Sequence, residues 1–318
     1  MKLYFAPLNF LSNYVYRHLL LKHKADFVFS ELILIKDFDK EVGKDKLKIF
    51  DSDISKTVFQ IGVSSVEETI KGVKLIKEYI PNVKEINLNV DCPESRMQKN
   101  KVCSGLLFDL ELLESICLGL IKSCNKIIPS VKIRLGTSIK EIKIKEYLQM
   151  FVRIGIKKVY IHARTLRYSY NKPALYNELK ELRSEFNSLE LIFNGDVDSY
   201  ENYLKLNGDV MIGRAALTNP LLFEQIKSKT KSASGSFNPV IKDINIVKDG
   251  TKDVFLKEKR DVIIEFLELC LKEDLRMQLV KNNLNYLMKG VSSSSLFLKN
   301  VNTSSNIQEV IDIFKSMF

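Results

Sequence analysis

Short apolar runs alternate with helix-like periodicity along roughly the first 230 residues. Each run is rich in Val, Ile or Phe and is followed by a polar residue or Gly, which is typical of a buried strand that ends at a loop. Between the runs, apolar residues recur at spacings of three and four, as in Val66, Ile70, Val73, Ile76 and Ile80. The predicted strands are residues 2–5, 27–30, 57–62, 85–89, 130–134, 158–162, 191–194 and 209–212.

Strands that alternate with helices predict parallel βαβ units, and eight such units predict a closed (β/α)8 TIM barrel of the α/β class. A doubly wound open sheet is the alternative, and it usually carries a Gly-rich phosphate turn after an early strand. The sequence contains no G-x-G-x-x-G segment. The barrel is therefore the predicted fold.

The apolar pattern after residue 251 is helical and contains no strand-like run. One stripe runs from Val262 to Cys270, and a last helix near Ile307 follows the capping signal Ser305-Asn306. The segment KTKSASGS, residues 229–236, has a linker composition. We predict a barrel over residues 1–232, a linker over 233–250 and a small all-helical domain over 251–318.

Composition excludes several protein classes. With 45% apolar and 28% charged residues, the 318-residue chain is neither disordered nor fibrous. It has no run of the ~18–20 apolar residues that a membrane span needs, and we expect no secretory signal. Its five Cys include no C-x-x-C pair and no nearby His cluster, which argues against disulfides and structural zinc. We expect a cytoplasmic monomer with no metal and no membrane contact.

The net charge of +10 suggests a polyanionic partner, although a solvated Lys-rich surface gives the same excess. Residues 1–240 contain 37 basic and 28 acidic residues, a net of +9. Residues 241–318 contain 12 and 11, a net of +1. The positive charge therefore belongs to the barrel part.

Two strand ends have the composition of a phosphate site. Asn194-Gly195-Asp196 follows the seventh strand and Gly213-Arg214 the eighth, where barrels commonly bind a phosphate. Gly lets backbone N–H groups approach an anion, and Arg adds a bidentate contact. A simple turn and an ordinary helix start remain the alternative interpretations.

Other strand ends suit a flat phosphorylated cofactor such as FMN. Gln60 offers paired donor and acceptor atoms to a flavin edge, and Lys132 places positive charge near a ring that becomes anionic on reduction. His162 ends the sixth strand and could equally be a hydrogen-bonded core residue. Glu31 could equally be a structural partner of Arg17.

Cys92 is the candidate for proton transfer. It lies just past the fourth strand in a loop that continues with Arg96, Lys99 and Lys101, so cations are near the thiol. A thiol in this position could donate or accept a proton near a cofactor. Three other cysteines (117, 124 and 270) fit apolar helix stripes, and Cys103 is ambiguous.

These residues together closely resemble the tRNA-dihydrouridine synthase family, over essentially the whole chain and in collinear order. The signature N-x-G-C-P corresponds to Asn89-Val90-Asp91-Cys92-Pro93, and M-I-G-R-A and N-G-D are intact. A worn R-K-H-x-x-W-Y-x-K-G corresponds to residues 281–290. The remaining matches are Ala6-Pro7-Leu8, Ser30-Glu31-Leu32, Gln60-Ile61-Gly62, Ser104-Gly105-Leu106-Leu107, Lys132-Ile133-Arg134-Leu135-Gly136, His162-Ala163-Arg164-Thr165 with Tyr170, and Asn219-Pro220.

The resemblance implies a flavin enzyme that reduces uridine in tRNA, with residues 251–318 as an RNA-binding domain. Reduced FMN, recharged by NADPH or NADH, would deliver hydride to C6 of the uracil ring while Cys92 protonates C5. Asn89 would lie near the target base, which must leave its stack to reach the barrel. The cations implied to contact RNA phosphates are Arg96, Lys99, Lys101, Arg164, Arg167 and Lys172. The residues implied to hold FMN are Pro7, Leu8, Gln60, Lys132, His162, Asn194, Gly195, Asp196, Gly213 and Arg214.

Three positions depart from the family pattern. Asp91 replaces the usual Gly before the Cys and adds a carboxylate to the catalytic loop, where it could raise the pKa of Cys92 or crowd the pyrimidine. Asn171 follows Tyr170 where Gly is usual, and Lys281-Asn282-Asn283 weakens the basic run of the helical part.

Two alternatives remain at this point. One is an FMN-barrel reductase of a free pyrimidine, similar to dihydroorotate dehydrogenase, which the basic rim and the appended helices disfavour. The other is an RNA-binding barrel that has lost turnover, which would bind RNA without flavin and independently of Cys92.

Overall fold

Eight parallel strands close into a barrel in the computed structural model, which describes residues 1–38, 41–234 and 249–318. Each strand pairs with the next along the chain, and the last returns to the first with Val210 opposite Leu3. The predicted barrel is therefore confirmed. The strands are β1 (Leu3–Phe5), β2 (Phe27–Phe29), β3 (Thr57–Gly62), β4 (Glu85–Val90), β5 (Ile128–Arg134), β6 (Lys158–His162), β7 (Glu190–Asn194) and β8 (Val210–Ile212).

One additional strand of two residues, Ile33–Leu34, pairs with the carboxyl end of β3 through Ile33 and Ile61. Two residues are too few to show a periodicity, so the sequence pattern does not predict this strand. It brings Leu34 to the end of the barrel at which the predicted site residues gather.

Helices surround the barrel and turn apolar stripes toward it. They are α1 (Tyr14–Lys22), α2 (Glu41–Asp45), α3 (Val66–Tyr79), α4 (Ser95–Lys99), α5 (Leu110–Cys124), α6 (Ile144–Ile154), α7 (Leu182–Glu185), α8 (Tyr200–Leu204), α9 (Arg214–Thr218) and α10 (Leu222–Ser234). In α5, Leu113, Ile116 and Leu120 are buried, as their spacing of three and four predicts. Asp109 caps this helix by accepting a hydrogen bond from the N–H of Leu112.

Helices alone form the described part of the chain beyond residue 248, as predicted. They are α11 (Asp249–Lys272), α12 (Met277–Leu287), α13 (Ser294–Thr303) and α14 (Ile307–Met317). Asn283 of α12 is buried, accepts a hydrogen bond from Asn13 Nδ2 (2.7 Å) and donates one to the carbonyl of Leu11 (2.9 Å). This contact fixes α12 against the loop that follows β1.

The predicted domain boundary at residue 232 falls inside α10, which continues to Ser234. Most of the predicted linker, residues 235–248, lies outside the described residues. The division into barrel, linker and helical domain therefore stays a prediction. Among the described helices, none combines the length and apolar character needed to cross a membrane.

A buried ion pair closes the amino-terminal end of the barrel. Glu85 accepts hydrogen bonds from Lys158 Nζ (2.9 Å), Tyr160 OH (2.8 Å) and Ser130 Oγ (2.7 Å), and all four residues are buried. All three groups donate to the same carboxylate. Glu85 therefore neutralises the buried Lys158 ammonium and supplies the hydrogen-bond acceptor that the buried hydroxyls of Tyr160 and Ser130 need.

Amide side chains extend this network through the barrel toward its carboxyl end. Asn87 Nδ2 donates to Ser130 Oγ (2.8 Å), and Gln60 Nε2 donates to Asn87 Oδ1 (2.9 Å). Asn89 Nδ2 then donates to Gln60 Oε1 (2.7 Å). The orientation of Gln60 and Asn89 at the carboxyl end is therefore set from inside the barrel, before any ligand binds.

Candidate active site

One large cavity of about 940 Å³ opens at the carboxyl ends of the barrel strands. This volume lies within the ~300–1,000 Å³ of small-molecule sites in proteins. All ten residues that the resemblance implies for FMN line it, and so do Asn89, Cys92 and Arg96. The structure therefore brings together residues that are spread over more than 200 positions of the sequence.

The Cys92 loop is held by the last inward-facing side chain of β4. Asn89 Oδ1 accepts hydrogen bonds from the backbone N–H groups of Asp91 (2.9 Å) and Cys92 (3.0 Å). The thiol is half-buried against a small cluster that contains Met97 and Cys103. This arrangement fixes the position of the Cys92 sulfur at the cavity wall.

Burial raises the pKa of the Cys92 thiol, and the carboxylates of Glu94 and Asp91 act in the same direction. The thiol is therefore protonated at neutral pH, the form that a proton donor requires. The Arg134 guanidinium acts in the opposite direction, but the pKa of Cys92 is still raised overall. Of the two effects considered for Asp91, a raised pKa of Cys92 or a crowded pyrimidine, the charge of Asp91 acts in the direction of the first.

Asp91 occupies the centre of a buried charge cluster. Its carboxylate contacts Lys132 Nζ, Arg134 Nε (2.8 Å) and His162 Nδ1 (3.0 Å). Burial alone would raise the pKa of Asp91, but Lys132, Arg134 and His162 together hold it well below its usual range. The carboxylate is therefore ionised throughout the physiological pH range.

Arg134 is a site residue to which sequence analysis gave no role. Its guanidinium is buried, and it donates to the carbonyls of Asp91 (2.7 Å) and Thr165 (3.1 Å) and to Tyr170 OH (2.7 Å). It therefore ties the Cys92 loop to the loop after β6. Its place in the Lys-Ile-Arg-x-Gly motif is the signal that could have identified it.

The turn after β7 is built around a second ion pair. Gly195 adopts a φ of +144°, and a Cβ there would lie 3.0 Å from Ala174 Cβ, so a side chain would be strained. Asp196 accepts hydrogen bonds from Arg164 Nη2 (2.7 Å) and the N–H of Ala174 (2.8 Å). Asn194 Nδ2 donates to the carbonyl of Met211 in β8 (2.8 Å), which holds the two strand ends together.

The turn after β8 leaves space beside its glycine. A Cβ on Gly213 would meet no atom closer than Ala6 Cβ at 3.9 Å. The Arg214 side chain is 56% exposed, 3.9 Å from Asp196, and its guanidinium lies over the Tyr170 ring at 4.6 Å. An anion in this space would therefore meet a guanidinium that has only a long contact to a carboxylate.

The predicted RNA-contacting cations fall into two groups. Arg96 lines the cavity and is exposed, whereas Lys99, Lys101, Arg167 and Lys172 are exposed but lie outside the cavity wall. Arg164 is not the exposed rim cation that was expected, because it is buried and forms an ion pair with Asp196. Its ion pair positions the β7 turn, and its Nη2 also donates to the carbonyl of Lys172 (2.8 Å).

The cavity also contains residues that sequence analysis did not assign to it. Lys46 donates to the carbonyl of Leu32 (2.6 Å) and to Asn9 Oδ1 (3.0 Å). Tyr286 and Lys289 reach the cavity from the end of α12, with Lys289 Nζ over the Tyr286 ring at 4.7 Å. Tyr286 and Lys289 stand in a quoted motif, the worn segment of residues 281–290, whereas Lys46 does not.

His162 is expected to make folding stability depend on pH. Burial lowers the pKa of His162 to about 4 from 6.5, and Asp91 only partly offsets this. Between these values the unfolded chain takes up a proton that the folded chain does not, so stability falls as the pH falls through this range. Urea unfolding at the two pH values measures this. Between pH 7.5 and pH 5.0, the free energy of unfolding of the wild type should fall by about 2 kcal/mol more than that of His162→Gln. Equal losses would contradict a neutral, buried His162.

Comparisons with known proteins agree with the motifs. The family model described as Dihydrouridine synthase (Dus) matches residues 4–308. A probable tRNA-dihydrouridine synthase of Aquifex aeolicus is 27% identical over 96% of this chain and 92% of its own, and one of Helicobacter pylori is 27% identical over 99% and 92%. A tRNA-dihydrouridine(47) synthase of Saccharomyces cerevisiae, named with NAD(P)(+), is 26% identical over 70% of this chain and 38% of its own.

Proposed function

The chain belongs to the dihydrouridine synthase family, and we propose that it reduces the C5–C6 double bond of uridines in tRNA to 5,6-dihydrouridine. In this proposal FMN is the cofactor, NADPH or NADH is the reductant, and Cys92 is the proton donor. The observation that carries it is a protonated, half-buried thiol on the wall of a cavity that also contains Gln60, Lys132 and Arg214. tRNA as the substrate is consistent with the predicted cytoplasmic location.

The residues present fit a phosphorylated flavin. The space beside Gly213 and the exposed guanidinium of Arg214 suit its phosphate. The amide of Gln60, oriented by Asn87 and Asn89, suits the hydrogen-bonding edge of its ring. When bound, reduced flavin supplies the hydride that the C5–C6 bond requires.

The side chains around Cys92 support proton donation at C5. Asn89 holds the backbone N–H groups of Asp91 and Cys92, so the chain that leads into the thiol is fixed at the cavity wall. Neutral His162, with a pKa of about 4, is a poor proton donor at pH 7. The Lys132 ammonium is already bound to Asp91. The thiol is therefore the acid best placed to give up a proton at this wall.

RNA would approach from the open side of the cavity. Arg96 on its wall and Lys99 nearby offer exposed positive charge to phosphates, and the net charge of the barrel part agrees with a polyanionic partner. Tyr286 of α12 and Lys289, which follows the end of that helix, form another part of the cavity wall. A uridine would have to leave its stack to reach Cys92 between these walls.

Arg214→Ala is expected to weaken FMN binding about 10- to 150-fold, the range for loss of a charge-assisted hydrogen bond. Riboflavin has no phosphate, so its affinity should stay unchanged. Flavin fluorescence titrations with both ligands measure this. Arg153→Ala is the control, because Arg153 is 66% exposed and pairs with Glu114 away from the cavity. An equal loss for both flavins, or none for FMN, would refute the phosphate assignment.

The proposed function is tested by an absorbance spectrum and by mass spectrometry of tRNA incubated with the protein and NADPH. Flavin bands and new dihydrouridine are the expected result. A flavin-containing protein that reduces a free pyrimidine and leaves tRNA untouched would overturn it in favour of a small-molecule reductase. A protein that binds RNA without flavin would indicate a barrel without turnover.

A further inference from the structure

The charge cluster at the cavity wall contains its own anion. Lys132 lines the cavity, while Arg134 lies behind it and does not. Both are cations with almost no solvent exposure, and the carboxylate of Asp91 lies between them. His162 adds no charge at neutral pH because burial lowers its pKa to about 4. The three charged side chains therefore carry one net positive charge instead of two.

The position of Asp91 determines what a bound ligand experiences. Its carboxylate lines the same cavity as Lys132 and is 14% exposed, so both charges act on whatever lies beside them. In a buried site, solvent only weakly screens the interaction between a ligand and the charges next to it. A ligand that gains negative charge beside Lys132 would therefore be stabilised less than it would be without Asp91.

We propose that Asp91 is a built-in counter-anion for Lys132 and Arg134, and that it holds the bound flavin at a lower reduction potential than the same site would without this carboxylate. The second half rests on the proposed function, in which the flavin ring lies beside Lys132. Two-electron reduction with uptake of one proton leaves the ring anionic, and charge near the ring is a principal way in which a protein tunes a flavin. A lower potential makes the reduced flavin a stronger hydride donor to the pyrimidine.

The first half is tested without any cofactor. Asp91→Ala removes the carboxylate and leaves two buried cations unpaired, which should lower the unfolding temperature of the apoprotein. Formate, a small carboxylate that can occupy the vacated space, should restore much of the loss in Asp91→Ala and have no such effect in the wild type. Sodium chloride at equal ionic strength controls for general salt effects. An unfolding temperature equal to the wild type's, or no difference between formate and chloride, would overturn the counter-anion role.

The second half is tested by the reduction potential of the FMN-bound protein. Asp91→Asn keeps the shape and removes the charge, so reduced FMN should gain at least tenfold in affinity relative to oxidised FMN, a rise of about 30 mV for a two-electron couple. Asp198→Asn is the matched control, since Asp198 lines the same cavity but bonds to Asn202 (2.7 Å). A shift no larger than the control's, or a fall, would overturn the tuning role.

The two tests separate this inference from the proposed function. If formate rescues Asp91→Ala but the wild type binds no flavin, the proposed cofactor is wrong and the tuning role falls with it. If flavin binds and tRNA is reduced, but FMN has the same reduction potential in the wild type and in Asp91→Asn, the proposed function stands and the tuning role alone is overturned. If Asp91→Ala does not fold, the unfolding temperature of the Asp91→Asn apoprotein is measured instead, without formate, and a value equal to the wild type's would overturn the counter-anion role.

Discussion

Cys92→Ala is expected to lower the rate of dihydrouridine formation about 10²- to 10⁴-fold, the contribution typical of a positioned general acid. Flavin content should stay unchanged, because the cavity residues assigned to the cofactor do not include the thiol. The physical reason is that burial raises the pKa of Cys92 and keeps its proton available at pH 7, while Asn89 fixes the loop. Single-turnover assays with prereduced enzyme measure the step directly.

Two variants make this experiment specific. Cys103→Ala removes a buried thiol of the same small cluster and should leave the rate within a few-fold of the wild type. Cys92→Ser keeps a weaker acid at the same place and should retain more activity than Cys92→Ala. Wild-type turnover in Cys92→Ala would exclude the thiol as proton donor.

Glu85→Ala is expected to destabilise the fold by about 3–5 kcal/mol, the usual effect of removing one partner of a buried ion pair. The change removes the closer, buried carboxylate from the Lys158 ammonium and leaves it with the more distant, 40% exposed Glu190 (3.6 Å). It also removes the acceptor of Tyr160 and Ser130. Thermal and urea unfolding measure the loss. The affected group lies at the amino-terminal end of the barrel, so the folded fraction should still bind flavin.

The control for this prediction is an exposed pair of the same kind. Glu78 and Lys74 on α3 are 3.9 Å apart and more than half exposed, so Glu78→Ala should cost no more than about 0.5 kcal/mol. Glu85→Gln should fall between the two, since it keeps an acceptor and loses the charge. A loss below about 1 kcal/mol in Glu85→Ala would contradict this prediction and would mean that Glu190, 3.6 Å from Lys158 Nζ, compensates the buried charge.

Local patterns determined the fold. Apolar runs of four to six residues with helix-like spacing between them predict parallel βαβ units, and parallel strands necessarily bring their carboxyl ends to one side. That geometry places Gln60, Lys132 and Arg214 in one cavity although the sequence separates them widely. The candidate residues could therefore be identified by counting strands and by the family motifs.

Only the tertiary structure decided which charges are paired. Nothing local in the sequence indicates that Asp91 contacts Lys132 and Arg134, which lie more than 40 positions away. Nor does it indicate that Arg164 forms an ion pair with Asp196. The same holds for Tyr286 and Lys289, which α12 brings to the cavity wall. Periodicity fixes which face of an element is buried, but an ion pair depends on side-chain positions across neighbouring strands and loops. For this reason the sequence predicted the fold and the place of the site, and the packed barrel determined which charges remain available within it.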